Sequence, residues 1–223
     1  MRRFLPLRLA LIALACAAGS AIAQVAPSLS LADQMRGMIG PPPAAGTAPP
    51  APTTGAAPVT ASGPAQVRQS ATELAQRFPA AHRAAMTKAF EESFVFWQKL
   101  ETQLSLAPND VGAATAAFLA GNYAAFMQQQ VPDADFKTLV AQMQGQLARN
   151  AAFTQSSPAA KRAMYEQLAM VGTFMAVYRE QLKQKPNANE EINFRNTAKA
   201  NLEAGLGVPV ERIQIGPQGL VVR

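Results

Sequence analysis

The chain has 223 residues, room for one or two domains, with 20 basic residues against 14 acidic ones and a formal charge of +6. Taking away the three arginines among the first eight residues (Arg2, Arg3 and Arg8) leaves +3, an ordinary surface charge that gives no ground for a nucleic-acid partner. One Cys and one His exclude an intramolecular disulfide and a conventional Cys/His zinc centre.

The N-terminus has the three-part layout of a secretory signal peptide: a basic start to Arg8, an apolar run from Leu9 to Ala18, and small residues at Ala21-Ile22-Ala23. That run is shorter than the roughly 20 residues a bilayer span requires. Residues 1–23 are expected to be removed before Gln24, which places the mature chain in the periplasm or outside the cell. Lipoprotein processing at Cys16 is set aside, because Ala13 stands where a Leu is usual. A mature chain without Cys16 has no thiol chemistry, and no later stretch is apolar enough to predict a transmembrane segment.

Residues 24–69 read as a disordered tether. Between Gly40 and Pro64 there are eight Pro, four Gly and seven Ala and no charge, too little apolar bulk to build a core. A short amphipathic segment at 30–39 precedes it. Ser30 and Asp33 fit a capping box, and Leu31, Met35, Met38 and Ile39 follow at helical spacing. A helix that short is marginal on its own in water. The alternative to a plain tether is therefore a docking segment, which folds back on its own domain or takes a protein partner through those four side chains.

From residue 70 to 223 the pattern predicts one helical domain. A first helix over Arg68 to Arg77 ends at Phe78-Pro79. A second, from Pro79 to about Leu104, sets Met86, Phe90, Phe94, Trp97, Leu100 and Leu104 on one stripe, with Lys88 and Glu92 four apart on its wetter side. Asn109 or Asp110 starts a third, running to about Gln129. It is so rich in Ala that it is expected at the centre, with Phe118, Leu119, Tyr123, Phe126 and Met127 as its knobs. Asp133 is expected to cap a fourth, with Phe136, Leu139, Val140, Met143 and Leu147 inward. Ser157-Pro158 starts a fifth, striped by Met164, Leu168, Val171, Met175, Tyr178 and Leu182. Asn187 caps a sixth, with Phe194, Ala198 and Leu202 inward and a stop at Gly205 or Gly207. Gly121 and Gly172 interrupt the two most apolar helices, at about 1 kcal/mol each relative to Ala. The third and fifth helices are therefore expected to cross closely at these glycines.

The tail switches to strand character. Arg212 to Ile215 and Leu220 to Val222 flank Gly216-Pro217-Gln218-Gly219, a hairpin turn with Pro at its second position and Gly at its fourth. A lone hairpin is marginal, so it should lie against the helices or add to another chain's edge, where it could take a partner. The predicted fold is mainly α, an orthogonal or irregular bundle of five to six helices with a small C-terminal β-hairpin.

Candidate chemistry is sparse. His82 is the only imidazole and sits among alanines at a helix start, so no Ser or Cys nucleophile gains a base from elsewhere. Asp133 and Asp135 do not open a calcium loop, because Lys137 occupies the next ligand position. The glycines at 205, 207, 216 and 219 stand at stops and turns, with no phosphate-binding pattern around them. Lys161-Arg162 and Lys183 with Lys185 are the only basic clusters. No metal and no cofactor is expected from this set. Glu92-Ser93 on a long helix resembles the dipeptide that carries the acid of bacterial lytic transglycosylases, without a companion Gly-Leu-Met-Gln segment. In that alternative Glu92 protonates a glycosidic oxygen of cell-wall glycan, as a hydrolase or lyase. Tyr123, Tyr165 and Tyr178 read as core residues with hydrogen-bonded hydroxyls.

One longer resemblance runs through the helical region. Asn109-Asp110-Val111 on to Ala117-Phe118-Leu119, Met164-Tyr165-Glu166-Gln167-Leu168 with Gly172, and Ala198, Leu202, Leu206-Gly207-Val208 and Gly219-Leu220 carry it. Over about residues 80–223 the chain resembles an uncharacterised family of exported bacterial helical proteins, a domain of unknown function. The resemblance implies a mostly helical exported domain without an assigned activity. It makes Asn109, Asp110, Tyr165, Glu166 and Gly172 structural positions, with Tyr165 and Glu166 forming a polar seam between helices. The expected role is a noncatalytic, envelope-associated protein that acts through binding.

Overall fold

Alanine and glycine decide which helix can sit in the middle of this molecule. The computed structural model describes Met35, Arg36 and residues 59–223. Within 59–223 lie seven helices: α1 Val67–Ala75, α2 Ala80–Gln103, α3 Val111–Met127, α4 Asp133–Arg149, α5 Ala151–Thr154, α6 Pro158–Gln184 and α7 Ala188–Leu206. A 3-10 turn, Val210–Arg212, leads into β1 Ile213–Gly216 and β2 Gly219–Val222. The single-turn helix α5 has no counterpart in the sequence reading. The leader with Cys16, and Leu31, Met38 and Ile39, lie outside the described residues.

Helix α3 is buried on every side from Val111 to Ala120, with α4, α6 and α7 packed around it. Its small side chains let those neighbours approach. The closest approach is to α6, where a Cβ placed on Gly121 would overlap the Gly172 carbonyl and one on Gly172 would overlap the Ala117 carbonyl. Two helix backbones touch there with no side chain between them. Helices α1 and α2 pack on each other and on α6, which closes the other side of the core.

Each start has a local cause. Asp110 caps α3 by accepting the Gly112 N–H at 2.8 Å. Ser157 caps α6 ahead of Pro158 and accepts the Ala160 N–H at 3.1 Å. Asn150 and Asn187 do the same for α5 and α7. Asp133 does not cap α4, as the spacing suggested. Pro132 is the residue before the helix, and Asp133 and Asp135 lie in the first turn, where a carboxylate suits the helix dipole. Gly207 ends α7 with φ +70°.

The hairpin pairs Ile213 with Val222 and Ile215 with Leu220, and Gly219 (φ +78°) takes the left-handed residue after the Pro217-Gln218 turn. It lies on α4. The Gln142 amide donates to the Leu220 carbonyl at 2.9 Å and accepts the Leu220 N–H at 2.7 Å, as a neighbouring strand would.

The packed structure starts before residue 70. Thr60 bridges antiparallel to Asp110, with Ala61 N–H bonded to the Asn109 carbonyl at 2.9 Å and Val111 N–H to the Val59 carbonyl at 3.0 Å. Val59 to Gln69 thus belongs to the domain, contrary to the tether expected through 69. Its backbone pairs with a loop fifty residues along the chain, and local composition carries no sign of that. Met35 is fully buried with its methyl over Gly205, and the Arg36 guanidinium donates to the Ala204 carbonyl at 2.9 Å. These two residues of the short amphipathic segment are seated on their own domain.

At an exposed helix site Gly→Ala stabilises by up to about 1 kcal/mol. At Gly172 the sign reverses: Gly172→Ala should cost about 1–3 kcal/mol, and Gly172→Leu at least ~2 kcal/mol, because the obstacle is main chain. Urea unfolding midpoints of the two variants against the parent check this.

Candidate functional site

One cluster of buried polar groups lies where α6 faces the N-terminal strap. Arg162, Tyr165 and Glu166 fall three and four residues apart on α6, so they share one face. All three are buried. Their neighbours are α2, α1, the strap Val59–Gly63 and the loop that starts α3.

Arg162 is a fork with three acceptors. Its Nε donates to the Gly63 carbonyl at 2.9 Å, Nη2 to the Ala61 carbonyl at 2.9 Å and Nη1 to Asn109 Oδ1 at 2.8 Å. The planar guanidinium suits this set in a way an ammonium does not. Gly63 carries no side chain because a Cβ there would lie 2.6 Å from the Pro158 carbonyl oxygen. Glu166 holds the next stretch, its Oε1 accepting the Gln66 N–H at 2.9 Å and its Oε2 the Ser70 hydroxyl at 2.7 Å.

Tyr165 reaches the other way, into α2. Its hydroxyl accepts from Trp97 Nε1 at 3.2 Å and donates to Glu101 Oε2 at 2.9 Å. The Arg162 guanidinium lies 5.5 Å from the Tyr165 ring centre, and Phe94 meets the ring edge-on at 5.6 Å. Glu101 is buried, and its Oε1 has no hydrogen-bond partner. Burial pushes its carboxyl up to about 7, and Asp110 adds to the rise; the Tyr165 hydroxyl and the nearby Trp97 and Asn109 N–H groups offset part of it. Burial, then the neighbouring Glu101, also raises the Tyr165 hydroxyl above its ordinary value. Both Asp110 oxygens are occupied, one by Gly112 N–H and the other by the Gln144 side chain.

The sequence candidates therefore separate. Asn109, Asp110, Tyr165 and Glu166 come together in this seam, whereas Gly121 and Gly172 lie at the helix crossing. Glu92 is elsewhere, half-buried on α2 with Lys88 Nζ 3.8 Å from its Oε1. His82 is half-buried near the start of α2. Tyr178 donates to Glu190 Oε2 at 3.0 Å, and Tyr123 is half-buried on α3.

Two members of the seam were missed in the sequence. Glu101 stands four residues after Trp97, so the stripe Phe90, Phe94, Trp97 continues onto a carboxylate; that was the available signal. Arg162 stands in the sequence as half of the basic cluster Lys161-Arg162, with no local sign of its buried partners.

A cavity of about 10 Å³ beneath Phe78, Phe90 and Phe174 is the size of one water, and a shallow depression at the hairpin turn contains no acid. No cluster of three metal-ligating side chains occurs among the described residues, and no described helix is long and apolar enough to cross a membrane.

Residues 40–223 match the model of a family of unknown function, DUF6683, and the chain belongs to that family. No curated protein and no solved structure matches it.

Glu101 makes stability depend on pH. Its carboxyl titrates near 7 in the folded chain and near 4.5 when unfolded, so its contribution is complete below pH 4.5 and is lost as pH rises through 7. Glu101→Gln should flatten the unfolding midpoint between pH 5 and 8. It should leave the variant the more stable chain at pH 8 by on the order of 1–2 kcal/mol, allowing for solvent screening. Urea unfolding of both proteins at the two pH values reads this directly.

Proposed function

We propose that this member of the DUF6683 family is an exported, noncatalytic helical module of the bacterial envelope that acts by binding another protein. The observation that carries the reading is how the buried carboxylates are used. Asp110 and Glu166 each give both oxygens to the chain's own donors, and Glu101 is closed under Tyr165, so these acids hold elements together. The layout of residues 1–23 supports export.

Binding needs exposed apolar surface, and one end of the domain supplies it. Met127 closes α3 at 46% exposure and Ile192 stands on α7 at 57%. Between them Arg195, one turn after Ile192, lies over the Phe126 ring at 5.6 Å and donates to the Phe126 carbonyl at 3.2 Å. A rigid aromatic-Arg pair flanked by open aliphatic side chains is the composition of a protein-binding patch. Met35 is already used by its own domain, so the patch at Met127 and Ile192 is preferred over the 30–39 segment as the partner surface.

Substituting Met127→Asp together with Ile192→Asp should leave the thermal midpoint within a few degrees of the parent, since both are surface positions. The double variant should lose the partner that the parent retains when purified from its native envelope. Identical retained proteins in the two preparations would end the reading. The parent should also leave suspensions of purified cell wall turbid. Clearing that Glu92→Gln abolishes would instead establish glycan cleavage. The N-terminus of the mature protein should be Gln24.

A further inference from the structure

Two devices hold the strap Val59–Gly63 to the domain, and Glu101 sits beside both. One is the Arg162 fork on the Ala61 and Gly63 carbonyls. The other is the backbone bridge to Asn109 and Val111 on either side of Asp110. The charged group that faces the Glu101 carboxyl is Asp110, from the start of α3; Tyr165 is its titratable neighbour, and Arg162, from α6, lies against the Tyr165 ring. Within α2 the neighbour one turn back is the uncharged Trp97.

Glu101 has one oxygen bonded to Tyr165 and one bare, and the bare oxygen is buried. A proton on that oxygen leaves a neutral group in contact with Tyr165 and Trp97. Losing it to solvent creates a carboxylate bonded to Tyr165, with the Trp97 and Asn109 N–H groups near it, in a place where charge is weakly screened. Two forces follow. The new charge repels Asp110, whose flanking residues carry the bridge, and it acts on the Arg162 guanidinium, which lies against the ring of its partner Tyr165.

We propose that Glu101 is a proton-operated latch for the N-terminal strap: protonated, it leaves the Arg162 fork and the bridge closed, and ionised, it loosens both and lets residues 59–66 lift from α6. This goes beyond the binding reading and holds whether or not Met127 and Ile192 take a partner.

Amide hydrogen exchange on the full chain at pH 6 and pH 8, corrected for the intrinsic rates, tests it. The Ala61 and Val111 amides should lose about tenfold in protection at the higher pH, while amides inside α3 such as Ala120 keep theirs. Fluorescence of Trp97, the only tryptophan, should titrate with the same midpoint, near pH 7. Glu101→Gln should hold both signals constant over this range. An unchanged Ala61 amide, a loss spread evenly through α3, or a change that persists in Glu101→Gln would overturn the latch. If that variant fails to fold by circular dichroism, the parent decides: midpoints for Trp97 and Ala61 that disagree reject it.

Discussion

Contact between two helix backbones, made through Gly121 and Gly172, is the constraint on which the other placements depend. Helices ordinarily pack with their axes 8–10 Å apart and side chains between them, whereas at this crossing a Cβ on either glycine would meet the other helix's main chain. Fixing the crossing fixes the height of everything else on α6. Tyr165 lies seven residues before Gly172, about 10 Å along the axis, and this puts its hydroxyl level with Trp97 and Glu101. Arg162 comes one turn earlier, level with the strap and with Asn109. A side chain at either glycine would part the two helices and move the seam as a unit.

The seam itself is a device of specificity more than of stability. Burying Arg162, Glu166, Asp110 and Glu101 costs desolvation that apolar replacements would not incur. What these groups add is register. Two of the acceptors of Arg162 are main-chain carbonyls of the strap, and Glu166 takes a main-chain N–H at the head of α1, so sliding the strap by one residue would break the set. The match to the family model begins at residue 40 and so includes the strap with the helices.

Carboxylates used in this way have little left for catalysis. An acid that works on a substrate needs a raised affinity for its proton together with an approach from solvent. Glu101 has the first, enclosed beneath Tyr165, and Glu92 has partial exposure beside Lys88. The two properties are on different residues. The proposed partner patch draws on exposed apolar side chains, and the proposed strap latch on the enclosed Glu101.

Helices, their starts and the hairpin were legible in the sequence because each has a local cause. Apolar spacing marked the faces, Asp110, Ser157-Pro158 and Asn187 marked beginnings, and Pro217 with Gly219 marked the turn. Glycine inside an apolar helix also signalled a close crossing, since its cost calls for a neighbour's backbone. The strap was hidden, because Val59 to Gly63 has the composition of a linker and is ordered by Asn109, Val111 and Arg162, all distant along the chain. The carbonyls that Arg162 meets are likewise far along the chain, and the burial of Met35 depends on Gly205, 170 residues away. What a residue does to its own turn of backbone is written beside it, whereas which buried oxygen or carbonyl it meets is decided only when helices far apart in the chain come together.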